Sequence, residues 1–221
     1  MKTKKKLRPI ALQYISKGAT PNEHLTHIEN VCKAGCQWVQ LRLKEVDLET
    51  HLEIAKKARK ITLEYGATLI INDNIGIASL CNADGVHLGL EDTCPLEARK
   101  QLPKDSIIGG TCNTLEQALY QISKGVDYLG IGPFKHTVTK KKLSPILGKE
   151  GISKTVNALL EKNHNLPIVA IGGITKQDLE AVVTTGVSQV ALSGALTCLT
   201  NDANSLQKLK TDIETFNQYF L

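Results

Sequence analysis

Aromatic side chains are scarce in this 221-residue chain: one Trp, three Phe and five Tyr, 4% of the total. Methionine occurs once. Yet 42% of the residues are hydrophobic, so aliphatic side chains must fill the core, as they do around a buried parallel sheet. No apolar run approaches the length needed to cross a bilayer, which argues against a membrane-spanning helix. None of the six cysteines (Cys32, Cys36, Cys81, Cys94, Cys112, Cys198) belongs to a C-x-x-C pair. Cys32 and Cys36 lie four apart on an expected helix and could hold a metal. Small buried thiols in a reduced, cytoplasmic protein are the simpler reading. A broad basic face is missing too. The net charge is +5, but Lys2, Lys4, Lys5, Lys6 and Arg8 stand in the first nine residues without an acid, so the remainder is near neutral. Nucleic acid and membrane are therefore not expected partners. The tail also lacks the apolar core of a signal peptide.

What the chain does contain is alternation. Strand patterns are expected at 10–15, 38–43, 68–72, 85–88, 106–110, 127–131, 168–171 and 189–192. Helical patterns follow each of them, at 21–34, 48–65, 74–80, 94–102, 114–124, 151–162, 175–185 and 201–219. Asp47 and Thr175 are placed to cap helix starts, and Gly35, Gly66, Gly125 and Gly186 to end helices. Eight strand-then-helix cycles without a Pro/Ser-rich linker predict a single-domain (β/α)8 TIM barrel over residues 10–221, preceded by a basic tail at 1–9. A doubly wound sheet is the rival arrangement. The cycles share a topology but no sequence motif is expected among them.

The stretch 127–148 organises the reading. An apolar strand ends at Gly132-Pro133. A long polar segment follows, with Thr137, Thr139, the triplet Lys140-Lys141-Lys142 and Pro145, and no regular element is expected before Gly151. Loops of that length tend to be lids or binding loops, and hydroxyls beside lysines suit phosphate. A solvated basic surface loop would look the same.

In a barrel, chemistry gathers at the carboxyl ends of the strands. The second strand carries Gln40, Arg42 and Lys44 in alternation with Val39, Leu41 and Leu43, so three polar side chains share one face. Two inward cations need anions, because an unpaired buried charge is expensive. A half-exposed edge strand is the plainer alternative. Asn72-Asp73-Asn74 ends the third strand and Glu91-Asp92 follows the fourth. Asp73 and Asp92 could share a hard cation such as Mg²⁺, or simply cap the next helices. His87, inside the fourth strand, reads as a satisfied core histidine. Glycines at Gly109-Gly110, Gly172-Gly173 and Gly194 would let backbone N–H groups approach a phosphate, with a short helix over 195–199 presenting its N-terminus. Plain turns would also use them.

These segments, taken together, resemble the thiamine phosphate synthase family, which also holds the thiazole tautomerases. They are QLRLK (40–44), IND (71–73), ADGVHLG-x-x-D (83–92), DYLGIGP (127–133), T-x-TK (137–140), AIGGI (170–174) and LSGA (192–195). They run in family order over nearly the whole chain. The resemblance implies a transferase of thiamine biosynthesis that joins a hydroxymethylpyrimidine diphosphate to a thiazole phosphate, releasing diphosphate, with one Mg²⁺. It implies that Gln40, Leu41, Arg42, Leu43 and Lys44 hold the pyrimidine diphosphate with Asn72 and Lys140, and that Asp73 and Asp92 hold the metal. Thr111 would lie near the pyrimidine. Thr137, Val138, Thr139, Gly173, Leu192 and Ser193 would bind the thiazole phosphate. Arg42, Lys44 and Lys140 would then be the catalytic cations, assisting diphosphate departure without a protein nucleophile.

Three departures stand out. Asn74 replaces a second Asp, Leu90 replaces Gln, and Thr111-Cys112-Asn113 replaces Ser-x-His. Losing that histidine speaks against the tautomerase. A Schiff-base lyase using Lys44 or Lys140 and a non-catalytic precursor-binding protein are further readings. A homo-oligomer is compatible with the sequence.

Overall fold

The computed structural model describes residues 12–136, 145–197 and 203–220. Within them the strands β1 (Leu12–Ile15), β2 (Trp38–Leu41), β3 (Thr68–Asn72), β4 (Gly85–Leu88), β5 (Ile107–Cys112), β6 (Tyr128–Ile131), β7 (Ile168–Ile171) and β8 (Gln189–Leu192) close into a barrel in sequence order. Every neighbouring pair is parallel, including β8 with β1, where Tyr14 lies opposite Leu192. Closure rules out the doubly wound sheet. Helices α1 (Pro21–Lys33), α2 (Leu48–Glu64), α3 (Ile75–Leu80), α4 (Pro95–Gln101), α5 (Leu115–Ser123), α6 (Gly148–Glu161), α7 (Leu179–Val183), α8 (Gly194–Thr197) and α9 (Ala203–Phe220) complete the described elements.

Local chemistry sets the boundaries. Thr20, Asp47 and Thr114 accept N-cap hydrogen bonds from Glu23, Thr50 and Gln117. The chain leaves α1, α2, α5 and α7 through Gly35, Gly66, Gly125 and Gly186, all at positive φ; Asn82 does the same after α3 at φ 53°. The helix expected at 175–185 is split. A 3₁₀ turn at Lys176–Asp178, closed by a Thr175/Asp178 capping box, precedes α7. Helix α6 starts at Gly148, earlier than expected. Strand β2 stops at Leu41, two residues short of the expected end, whereas β5 runs on to Cys112 and takes in Thr111.

Two hydrophobic clusters follow from the period-two alternation. Val39, Leu41, Leu69, Ile71, Val86, Leu88, Leu129 and Val190 point outward and pack with the helices. Ile15, Trp38, Ile70, Ile107, Tyr128, Val169 and Ala191 fill the barrel interior. The Trp38 and Tyr128 rings meet edge to face at 5.0 Å. Gly109 is required there, since a Cβ on it would lie 2.2 Å from the Tyr128 ring.

One device was not anticipated. The residue before β4, β6 and β8 is Asp84, Asp127 or Ser188. Each donates its own N–H to the preceding strand (to Leu69, Ile108 and Ile168) and accepts that same residue's N–H on its side chain, at 2.9, 2.8 and 3.0 Å. ADGVHLG, VDYLGIG and VSQVALSG are thus a shared motif, contrary to the expectation of none. It escapes a sequence reading because Asp and Ser are interchangeable as acceptors here. Arg59 closes on the buried Asp84 carboxylate at 2.7 Å. Asp84→Ala would orphan both Arg59 and the Leu69 N–H. We expect a loss of about 3 kcal/mol in urea unfolding, with full activity retained at low temperature.

Candidate active site

The carboxyl ends of the strands surround a cavity of about 450 Å³. Its floor is a chain of inward side chains. Gln13 on β1 approaches the Tyr128 hydroxyl at 3.5 Å. That hydroxyl meets His87 Nδ1 at 2.9 Å, and His87 Nε2 meets Thr111 Oγ1 at 3.0 Å. His87 is therefore satisfied on both ring nitrogens, as expected, but it also lines the cavity. Gly130 leaves it room, with its absent Cβ only 3.0 Å from the ring.

Above the floor, β2 and β3 supply the charged side. Gln40 is buried, and its Nε2 donates to Asn72 Oδ1 at 2.8 Å, which orients both amides. Arg42 and Lys44 line the cavity from the loop after β2. Burial lowers the Arg42 pKa, and the Asp73 carboxylate works against that shift. Lys44 Nζ is ion-paired with Asp73 Oδ2. Asp73 has a left-handed backbone (φ 63°), with its N–H on the His87 carbonyl at 2.8 Å. The cap of α3 is the next residue, Asn74, whose Oδ1 accepts from Ile77 N at 2.9 Å. So the departure at position 74 is a helix cap, and Asp73 is free of that duty.

Asp92 lies behind Asp73 and holds the Gly89 N–H at 2.6 Å. It does not cap α4, whose N-cap is Cys94. The two carboxyls are close enough for each to shift the other's titration. Burial and the neighbouring Asp73 charge raise the Asp92 pKa, whereas Asp73 is lowered: burial pushes it up, and Asp92 and Lys44 outweigh that. Among the described residues no three His, Cys, Asp or Glu gather into a metal cage. Two carboxyls in contact beside cations nonetheless suit Mg²⁺, which takes one or two carboxylates and completes its shell with waters and phosphate oxygens.

The opposite side is made by β7 and β8. Gly172 (φ 101°) and Gly173 (φ 66°) line the cavity. The chain at 133–136 packs so closely on them that a Cβ on Gly173 would lie 2.5 Å from the His136 carbonyl. Leu192, Ser193 and Gly194 line the same side, and Ser193 Oγ is buried without a hydrogen-bond partner among the described residues.

The expected site residues thus separate into three groups. Gln40, Arg42, Lys44, Asn72, Asp73, Thr111, Gly173, Leu192 and Ser193 line one cavity, with Asp92 in contact behind it. Leu41 and Leu43 do not: their side chains lie in the outer cluster with the helices. That is the side the alternation with Gln40, Arg42 and Lys44 assigns to them, so any hold Leu41 and Leu43 have on a ligand would be through their backbone. Thr137, Val138, Thr139 and Lys140 lie outside the described residues. Lys17, Gln13, Asn113 and His136 also line the cavity and were missed. Each is a single polar residue in a loop or short strand, which carries little periodic signal.

Ser16 was missed as well. Its N–H extends the β1–β2 ladder to the Gln40 carbonyl, and its Oγ accepts the Arg42 N–H at 3.0 Å. The hydroxyl bonds His24 Nδ1 at 2.8 Å, and the His24 ring also donates to the Gly18 carbonyl. Burial pushes the His24 pKa down to about 4. Ser16→Ala should release the Arg42 backbone. The expected result is a several-fold rise in KM for the anionic substrate held by Arg42, with a stability loss of about 1 kcal/mol. A KM unchanged in steady-state kinetics would free Arg42 of this dependence.

A closed (β/α)8 barrel whose mouth sets cations and paired carboxyls against glycine turns is a barrel enzyme architecture for phosphorylated small molecules. The sequence profile of the family described as thiamine monophosphate synthase matches residues 12–196. A thiamine-phosphate synthase from Flavobacterium psychrophilum is 44% identical over 84% of this chain and 90% of its own. One from Bacteroides thetaiotaomicron is 40% identical over 90% and 96%. The solved thiamine phosphate pyrophosphorylase from Pyrococcus furiosus superposes with a TM-score of 0.79 at 29% identity, covering 96% of this chain and 98% of that one. The chain belongs to the thiamine monophosphate synthase family.

Proposed function

We propose that this protein is a thiamine-phosphate synthase, joining a hydroxymethylpyrimidine diphosphate to a thiazole phosphate and releasing diphosphate. The observation that carries the reading is the two-sided cavity. Gln40, Arg42, Lys44, Asn72 and Asp73 converge on one side, and Gly173 and Ser193 stand on the other. Two anionic substrates can then approach each other head to head.

The chemistry asked of the protein is electrostatic. Arg42 and Lys44 face the leaving diphosphate and meet negative charge as it develops. Lys140, outside the described residues, joins them in this reading. Asp73 and Asp92 would hold Mg²⁺, which would supply further positive charge to the leaving diphosphate. The Gln40–Asn72 pair holds the substrate in register, and Thr111, oriented by His87, contacts the pyrimidine. The route is dissociative: the bond from the pyrimidine methylene carbon to the diphosphate oxygen breaks first, the ring amino group stabilises the cation left behind, and the thiazole nitrogen, positioned from the glycine side, then attacks that carbon. Trp38, Tyr128 and Ile70 seal the cavity floor against water.

Two features weigh against the rival readings. Lys44 is engaged with Asp73 instead of standing as an unpaired amine, which disfavours a Schiff-base lyase. Asn113 occupies the position whose histidine a tautomerase would use, and its side chain is bonded to the Gly132 carbonyl. Among the described residues no helix is long and apolar enough to cross a membrane. The free thiols Cys32, Cys36, Cys81, Cys94 and Cys112 support a reducing, cytoplasmic setting. The test is direct: mix the protein with both precursors and Mg²⁺ and assay thiamine phosphate. No product above a no-enzyme control would overturn the assignment.

A further inference from the structure

We infer that Lys17 is a ligand of the acceptor's phosphate, giving the glycine side of the cavity a fixed cation of its own. The inference rests on the two-substrate reading above and extends it to a residue that reading does not use.

Lys17 follows β1 directly and lines the cavity. Its Nζ leans towards β8: it lies 3.9 Å from where a Cβ on Gly194 would sit. Strand register explains the direction, because Tyr14 pairs with Leu192, so residues just past β1 overlook those just past β8. Across the gap, Ser193 Oγ is buried and has no hydrogen-bond partner among the described residues. A buried hydroxyl of this kind is costly unless something reaches it. Among the described residues Lys17 Nζ has no carboxylate partner, whereas Lys44, Lys135 and Lys176 are each ion-paired. An ammonium and a hydroxyl that line one cavity, neither with a partner among the described residues, are the donor set of a phosphate subsite.

The backbone beneath Lys17 is held still. His27 Nδ1 donates to the Lys17 carbonyl at 2.6 Å, and the His24 ring donates to the Gly18 carbonyl. Helix α1 thus clamps this turn. The Ser193 side is braced as well: the Tyr14 and Thr197 hydroxyls meet at 2.8 Å, and Thr197 donates to the Ser193 carbonyl at 3.2 Å. The flexible lysine stem therefore works between two fixed points.

The test is calorimetric binding of thiazole phosphate and of the corresponding thiazole alcohol, which lacks the phosphate. Wild type is compared with Lys17→Ala, Lys17→Gln and Lys17→Arg. The substitutions fall on an exposed side chain and leave the clamped carbonyl in place. The two neutral variants should weaken thiazole phosphate binding about tenfold, leave alcohol binding unchanged, and be rescued by Arg. Turnover should show the same pattern, as a raised KM for the thiazole phosphate alone. Equal binding of thiazole phosphate by wild type and Lys17→Ala overturns the inference, as does an equal loss with both ligands. Wild type that binds neither ligand overturns it too. Absence of product with intact, Lys17-dependent binding would instead overturn the synthase reading and leave this subsite standing.

Discussion

Asp73→Asn should cost about 100-fold or more in turnover while leaving the protein folded. The argument begins with the backbone. Asp73 sits at φ 63°, a conformation that Asn tolerates nearly as well as Asp, so the substitution changes charge with little strain. It does not touch the helix cap, which is Asn74. The carboxylate is lost where it meets Asp92 and Lys44, so any cation held there loses an oxygen of full charge. Asn74→Ala is the matched control: about 1 kcal/mol of stability should go, with turnover within a few-fold of wild type. Steady-state rates across a Mg²⁺ titration decide the matter. If Asp73→Asn turns over like wild type, the metal-binding assignment is wrong.

Arg42→Met should also lower kcat, by 100- to 1,000-fold, the range seen when one preorganised electrostatic donor is removed. Arg42 is half-buried at the cavity wall, its backbone is fixed by Ser16, and Asp73 lies close enough to offset the effect of burial. The loss should appear in kcat more than in KM, because the diphosphate's charge grows as it leaves. Arg42→Lys should recover only part of it, since an ammonium cannot reproduce the planar fork on two phosphate oxygens. Stability should change little, because Met keeps the stem's packing and removes a partly buried charge. Near-normal kcat in Arg42→Met would show that the cation is not aimed at the leaving group.

The contrast between Lys44 and Lys17 illustrates how much of the site was legible beforehand. Lys44 was readable because it continues an alternation begun by Gln40 and Arg42, and period two places all three on one side. The structure kept that direction even though β2 ends at Leu41. Lys17 had no such neighbour: Ser16, Lys17 and Gly18 show no periodic pattern. Its relevance comes from the β1–β8 pairing, between strands that are nearly the whole chain apart. Asp73 is an intermediate case. Its place at a strand end was visible, but whether it served as cap or ligand depended on which of Asp73 and Asn74 bonded Ile77 N. The reciprocal Asp84, Asp127 and Ser188 closures stayed hidden because a common geometry was built from different residues.

By itself the sequence determined the number and direction of the strands, the boundaries marked by caps and glycines, and which side chains share a face. These follow from short-range sterics and from periodicities of 2 and 3.6 residues, which a linear chain displays openly. Only the tertiary structure decided that β8 closes on β1, that Asp92 stands against Asp73, and that a lysine from the first turn overlooks the last strand. Such pairings depend on barrel closure and register between distant segments, and neither leaves a local trace in the order of the residues.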